Sequence, residues 1–142
     1  MRNHALARTV RCMPTNPAIE FRNAICARDF AAVAAVLDPD AVMRGLLPAR
    51  TIEANGPDEI LGWLRKWFGA DTTYEVLGQA DETTAGRTRV TWQLRVDGHP
   101  VSGEPGAFDI EQTAFVDAPD GTITRIDLLC SGFRPALTSV AV

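Results

Sequence analysis

Histidine, tyrosine and cysteine are scarce in this 142-residue chain, at two, one and three residues. Two histidines, His4 and His99, are too few for a metal centre built from protein ligands alone, so no metal is expected, and without a phosphate-cradling loop or dinucleotide fingerprint no other cofactor is implied. The cysteines (Cys12, Cys26 and Cys130) are odd in number and lack CxxC spacing. Reduced thiols in a cytoplasmic protein are expected, not a disulfide frame or a zinc site. No apolar run reaches the about 18 residues of a membrane span. Met1 to Met13 carries Arg2, Arg8 and Arg11 without the apolar centre of a secretory signal. A basic excess is also missing. The net charge of −4 and pI near 5.1 argue against a nucleic-acid partner. Repeats, phosphate-cradling glycine loops and dinucleotide fingerprints are absent too.

What is present is ordinary for a globular domain: 46% hydrophobic and 23% charged residues in a length that buries a core without staples. The organisation expected is an N-terminal arm over 1–14, one domain over 15–135 and a tail over 136–142. Asn16-Pro17 reads as a cap followed by proline at the first helical position, with Phe21, Ala24 and Ile25 on one face behind it. Asp29 caps a second short helix carrying Phe30, Val33, Val36 and Leu37, which Asp38-Pro39-Asp40 ends. Ala41 to Leu47 reads as a short strand. The best-marked helix starts at Asn55-Gly56-Pro57 and buries Ile60, Leu61, Leu64, Trp67 and Phe68; Gly69 fits a left-handed stop.

The period then changes to two. Thr73 to Leu77 is a strand, and Arg87 to Val96 alternates with Val90, Trp92, Leu94 and Val96 on one face. Asp97-Gly98 signals a tight turn. Phe108 to Val116, the turn Ala118-Pro119-Asp120-Gly121 and Ile123 to Ser131 complete a closing hairpin. Helices followed by antiparallel strands give an α+β class, with the helices on one face of a curved sheet.

FRNAICARDFAAVAAVLDPDAV, the Gly56-Pro57-Asp58 helix start and FVDAPDGTITRIDLLCSGFRP together resemble the NTF2-like superfamily, in its SnoaL-like group of small bacterial proteins. The resemblance covers roughly residues 17–135. It implies a cone: a strongly curved, mostly antiparallel sheet wrapped around about three helices of the N-terminal half, enclosing an apolar pocket. Relatives include ketosteroid isomerases, polyketide cyclases, epoxide hydrolases, dehydratases and non-catalytic binding proteins, so function rests on the site. The resemblance places Ile126, Leu128 and Cys130 toward the cavity with Val90, Trp92 and Leu94, and puts Glu111 where the isomerase holds a protonated acid. The isomerase tyrosine falls at Phe21 and its base near Gly45, so steroid isomerisation does not carry over.

Glu111 is the leading catalytic candidate, since desolvation inside an apolar cone can raise a carboxyl pKa by up to about 3–5 units. Arg44 as a partner would return it toward carboxylate and general-base work. Asp109 and Thr113 share the Glu111 side by period two. The opposite phase stays open, because Phe108, Ile110, Ala114 and Val116 form the more apolar face; there Gln112 takes the pocket. Asp127 alternates against Ile126 and Leu128 and reads as outward. Phe21, Trp63 and Trp67 join the expected pocket lining. Cys130 reads as an inert buried thiol.

Two function classes follow. One is a cofactor-independent isomerase, cyclase, dehydratase or epoxide hydrolase acting by acid–base catalysis on a small hydrophobic molecule. The other is a binding or dimeric interaction protein that uses the same cone without chemistry. A homodimer is expected from the resemblance and from an exposed apolar sheet face.

Overall fold

The computed structural model describes residues 16–69, 73–98 and 106–136. The arm over 1–14, His4, Cys12, His99 and residues 137–142 of the tail lie outside them. The described residues form three helices, α1 (Pro17–Cys26), α2 (Phe30–Ala35) and, after the first two strands, α3 (Gly56–Phe68). The strands are β1 (Leu37–Leu46), β2 (Thr51–Asn55), β3 (Thr73–Thr84), β4 (Arg87–Gly98), β5 (Gly106–Asp117), β6 (Ile123–Cys130) and the short β7 (Arg134–Pro135). They form one seven-stranded sheet in the order β2-β1-β6-β5-β4-β3, with β7 against β5. The β1–β6 pair is parallel and every other pairing is antiparallel.

The helix starts follow from their caps. The Asn16 side chain accepts from the Ala18 amide at 2.9 Å, and Asp29 from Ala32 at 3.0 Å. At α3 the side-chain bond comes from the other partner. Asn55 makes no side-chain cap; instead Glu59 Oε1 accepts from the Asn55 amide at 2.8 Å. Gly69 does not end α3 in the left-handed conformation, for its backbone is extended at φ −75°. A Cβ there would stand 2.6 Å from the Arg65 carbonyl oxygen, and that close approach is what calls for glycine.

The strands run longer than the local pattern predicts. β1 starts at Leu37, so Asp38-Pro39-Asp40 lies in an irregular strand entry, where the pairing with β6 shifts register between Leu37 and Val42. β3 extends to Thr84 and turns into β4 through Ala85 and Gly86, both at positive φ, as a two-residue turn requires. A bulge at Leu77 shifts the β3 register between Val76 and Gly78.

Inside the sheet sits one continuous core. The Phe21 ring of α1 meets the Trp92 ring of β4 edge-on at 6.2 Å. Phe68 of α3 packs on Trp67 at 6.3 Å and on Tyr74 at 5.8 Å. Arg22, buried on α1, donates to Asp81 Oδ1 at 2.9 Å and to the Ala80 carbonyl at 3.0 Å, tying the helix to β3. Phe21 is fully buried, so Phe21→Ala is expected to cost about 3–5 kcal/mol, read as a lowered denaturant midpoint with unchanged far-ultraviolet dichroism.

Candidate functional site

The inner face of the sheet is built in rows set by register. Leu128, Ala114 and Val90 form one apolar row across β6, β5 and β4; Ile110 and Leu94 form another across β5 and β4. Between them lies a polar row of Cys130, Gln112 and Trp92. The Trp92 indole N–H donates to Gln112 Oε1 at 3.0 Å, and Gln112 Nε2 donates to Cys130 Sγ at 3.3 Å. Gln112 and Trp92 are fully buried, whereas Cys130 is half-buried and accepts a further bond from the Gly132 amide at 3.3 Å. The row therefore surfaces at Cys130. The β1–β2 turn reaches this end of the sheet: a Cβ on Gly132 would stand 2.7 Å from Pro48 Cγ, and Arg50 of the same turn lies 5.4 Å over the half-buried Trp63 ring.

This row is hydrogen-bonded within itself and its buried side chains carry no charge. Among the described residues the buried polar and charged side chains are Arg22, Thr88 and Gln112; no carboxylate joins them. Also among the described residues, no three His, Cys, Asp or Glu side chains cluster so as to hold a metal ion.

The expected inward carboxylates lie on the other face. Glu111 is exposed; Asp109 is paired through two bonds, 2.9 and 3.2 Å, to Arg95; Arg44 is exposed on β1. Thr113 faces outward with them, its hydroxyl 3.3 Å from that of Thr91. The reason is an unbroken register: β4 and β5 pair residue for residue from Thr88–Val116 to Gly98–Gly106, with no bulge to change phase. Phe108, Ile110, Gln112, Ala114 and Val116 take the inside. Phe21, Trp67, Val90, Trp92, Leu94, Ile126 and Leu128 are buried in the core, and Trp63 and Cys130 are half-buried at its edge. The hydrogen-bonded continuity of the polar row, which needs strand pairing to appear, is the feature that sequence reasoning missed. Its one signal was a glutamine in phase with apolar neighbours.

On the outer face, register aligns Glu53, Arg44, Asp127 and Phe115 in one row and Thr51, Leu46, Leu129 and Thr113 in the next. All of these residues but Thr113 line a groove of about 430 Å³. A second groove of about 240 Å³ holds Glu111 with Leu77, Gln93, Asp109 and Arg134. Arg87 bridges Asp117 at 2.7 Å and Asp127 at 2.8 Å, and Arg125 reaches Asp127 at 3.1 Å. Partial burial pushes the Asp127 carboxyl up, but the bonds from Arg125 and Arg87 together outweigh it and hold the group below its ordinary value. Burial pushes the Cys26 thiol up, opposed by the nearby Arg22 charge. Tyr74 is raised as well, mainly by burial, against the Arg28 guanidinium 4.6 Å over its ring.

A curved mixed sheet whose apolar inner face packs against the helices matches the α+β cone of the NTF2-like class. A SnoaL-like domain model matches residues 18–126, and the chain belongs to that family. The fold is shared with a candidate polyketide cyclase from Xanthomonas campestris pv. campestris, 16% identical, covering 80% of this chain and 86% of that one at TM-score 0.63. A candidate ketosteroid isomerase from Kribbella flavida is 17% identical, covering 89% and 84%, at TM-score 0.58. An LEH-like epoxide hydrolase from M. tuberculosis is 19% identical, covering 81% and 80%, at TM-score 0.59. No curated protein matches the chain.

Gln112→Leu leaves the buried Trp92 N–H without its acceptor and is expected to cost about 1–3 kcal/mol, read by chemical denaturation. Adding Trp92→Phe should recover part of that loss, giving a non-additive double-mutant cycle. The Asp127 carboxyl contributes stability that is present above its unfolded value of 3.8 and is lost as pH falls through the lower folded value. Thermal melts of Asp127→Asn should therefore lie below the parent at neutral pH and show a shallower decline on acidification.

Proposed function

We propose that the chain is a binding protein for a small hydrophobic organic molecule, received at the end of the cone where the polar row surfaces. The observation that carries this reading is the Trp92–Gln112–Cys130 row. The polar groups set into the apolar inner face are neutral, and the candidate acids point away from it. A ligand pocket needs apolar walls with a few fixed polar groups to orient its guest. Leu47, Trp63, Cys130 and Phe133, half-buried apolar residues packed against the core, supply such a rim. A general acid or base instead needs a group that changes charge near neutral pH within reach of the substrate. No cofactor is called for in this reading.

A second reading keeps chemistry. Glu111 with Asp109 beside the smaller outer groove would act in a cofactor-independent isomerase, cyclase, dehydratase or epoxide hydrolase. It is favoured by the kinds of enzyme named among the structural neighbours. In that reading Arg44 takes no part at Glu111, since it lines the other groove.

Mass spectrometry of organic extracts from the purified protein, before and after long incubation, separates the two. Binding predicts an apolar compound recovered unchanged, and a Cys130→Trp variant that fills the rim should weaken uptake of a neutral dye such as N-phenyl-naphthylamine at least about tenfold, roughly 1.4 kcal/mol. Conversion of the compound, lost in Glu111→Gln, would establish the enzymatic reading instead.

A further inference from the structure

Trp63, at the rim, carries two cations. Arg50 of the β1–β2 turn lies 5.4 Å over its ring, and Lys66, the chain's single lysine, lies 5.0 Å over the same ring. Both side chains are exposed, and neither makes an ion pair or hydrogen bond with another described residue. Arginines elsewhere answer a carboxylate: Arg22 holds Asp81, Arg89 holds Glu82 and Arg95 holds Asp109. Two like charges gathered on one indole run against the net charge of −4 and give the rim a local positive field.

An aromatic face meets the charge of a cation but not its N–H groups. The donors of Lys66 and Arg50 therefore remain unspent within the described protein. A neutral apolar guest would use none of them. A carboxylate has an oxygen for each cation, and bonds between ionised groups are stronger than neutral ones.

Beside the pair, α3 leaves room. A depression of about 250 Å³ is lined by Glu59, Gly62, Trp63 and Lys66. Gly62 stands in the middle of the helix, where glycine weakens it, yet a Cβ there would meet nothing within 4 Å. Packing does not call for this glycine; open space is what its missing side chain supplies. Glu59 would repel an anion, but its Oε1 is turned to the start of α3, where it accepts from the Asn55 amide at 2.8 Å.

We propose that the molecule received at this rim is an amphiphile with a carboxylate head, held at Trp63 by Lys66 and Arg50. Its apolar body runs toward Leu47, Phe133 and Cys130. This assignment names the ligand class and rests on the ligand reading of the same rim.

Dodecanoate and 1-dodecanol share a chain and differ only in the head, so their displacement of N-phenyl-naphthylamine from the full chain at neutral pH tests the assignment. The parent should bind the acid at least about tenfold more tightly than the alcohol. In Lys66→Met and Arg50→Met that preference should fall to within about twofold, because the stem remains and the charge is gone. Gly62→Leu should bind dodecanoate about tenfold more weakly while its denaturation midpoint rises, since leucine favours the helix and fills the depression. Dodecanoate should also shield Lys66 from acetylation by acetic anhydride, read by peptide mass spectrometry against the N-terminal amine. Equal affinity for acid and alcohol, a preference that survives both methionine variants, unchanged dodecanoate binding in Gly62→Leu, or an unshielded Lys66 would overturn the carboxylate head and leave the ligand reading standing. A parent that takes up no dye would remove the ligand reading and the assignment with it.

Discussion

The unbroken register of β4, β5 and β6 is the constraint on which the rest depends. Because side chains alternate strictly along a strand, one pairing decides the face of every residue on all three strands. Ten consecutive steps of β4 against β5 pass without a bulge, and β6 continues the same phase from Gln112–Cys130 to Asp117–Arg125. Apolar burial selects that phase. Turning Glu111 inward would bring Asp109 and Thr113 with it and expose Ile110, Ala114 and Val116. At roughly 25 cal/mol per Å² of apolar surface, moving so many side chains outweighs whatever one carboxylate could gain.

The two faces then follow different chemistry. Inside, a polar group persists only when its hydrogen bonds are met, and Gln112 satisfies this by accepting from Trp92 and donating to Cys130. Outside, charges stay hydrated, and the network of Arg87, Arg125, Asp117 and Asp127 is held by proximity at modest individual strength. The SnoaL-like fold supplies the rows; what occupies them differs between members, which is how one architecture accommodates proteins named for different reactions. In this chain the inner row is neutral.

Local signals carried most of the helical half. Asn16-Pro17 and Asp29 cap their helices as their side chains dictate, and the α3 stripe of Ile60, Leu61, Leu64, Trp67 and Phe68 is buried in full. β4 was equally legible, since its alternation is clean over many residues. β2 and the length of β3 were not. Thr51 to Asn55 has no distinctive composition and becomes a strand through its pairing with β1. The far half of β3 is almost wholly exposed and polar, so no buried face marks it, and Ala85-Gly86 lacks the asparagine or aspartate that usually signals such a turn.

The sequence by itself determined the class of fold, the three helices, the outward direction of Asp127 and the burial of Val90, Trp92 and Leu94, because each rests on a periodicity or cap contained within a few neighbouring residues; the burial of Ile126 and Leu128 came from the family resemblance. Only the tertiary structure decided which phase of β5 faces inward, that Trp92, Gln112 and Cys130 join into one row, and that Arg44 stands beside Glu53 across β1 and β2. Those facts belong to register between strands distant in sequence. A residue's neighbours along the chain carry no record of which residue a separate strand will place beside it.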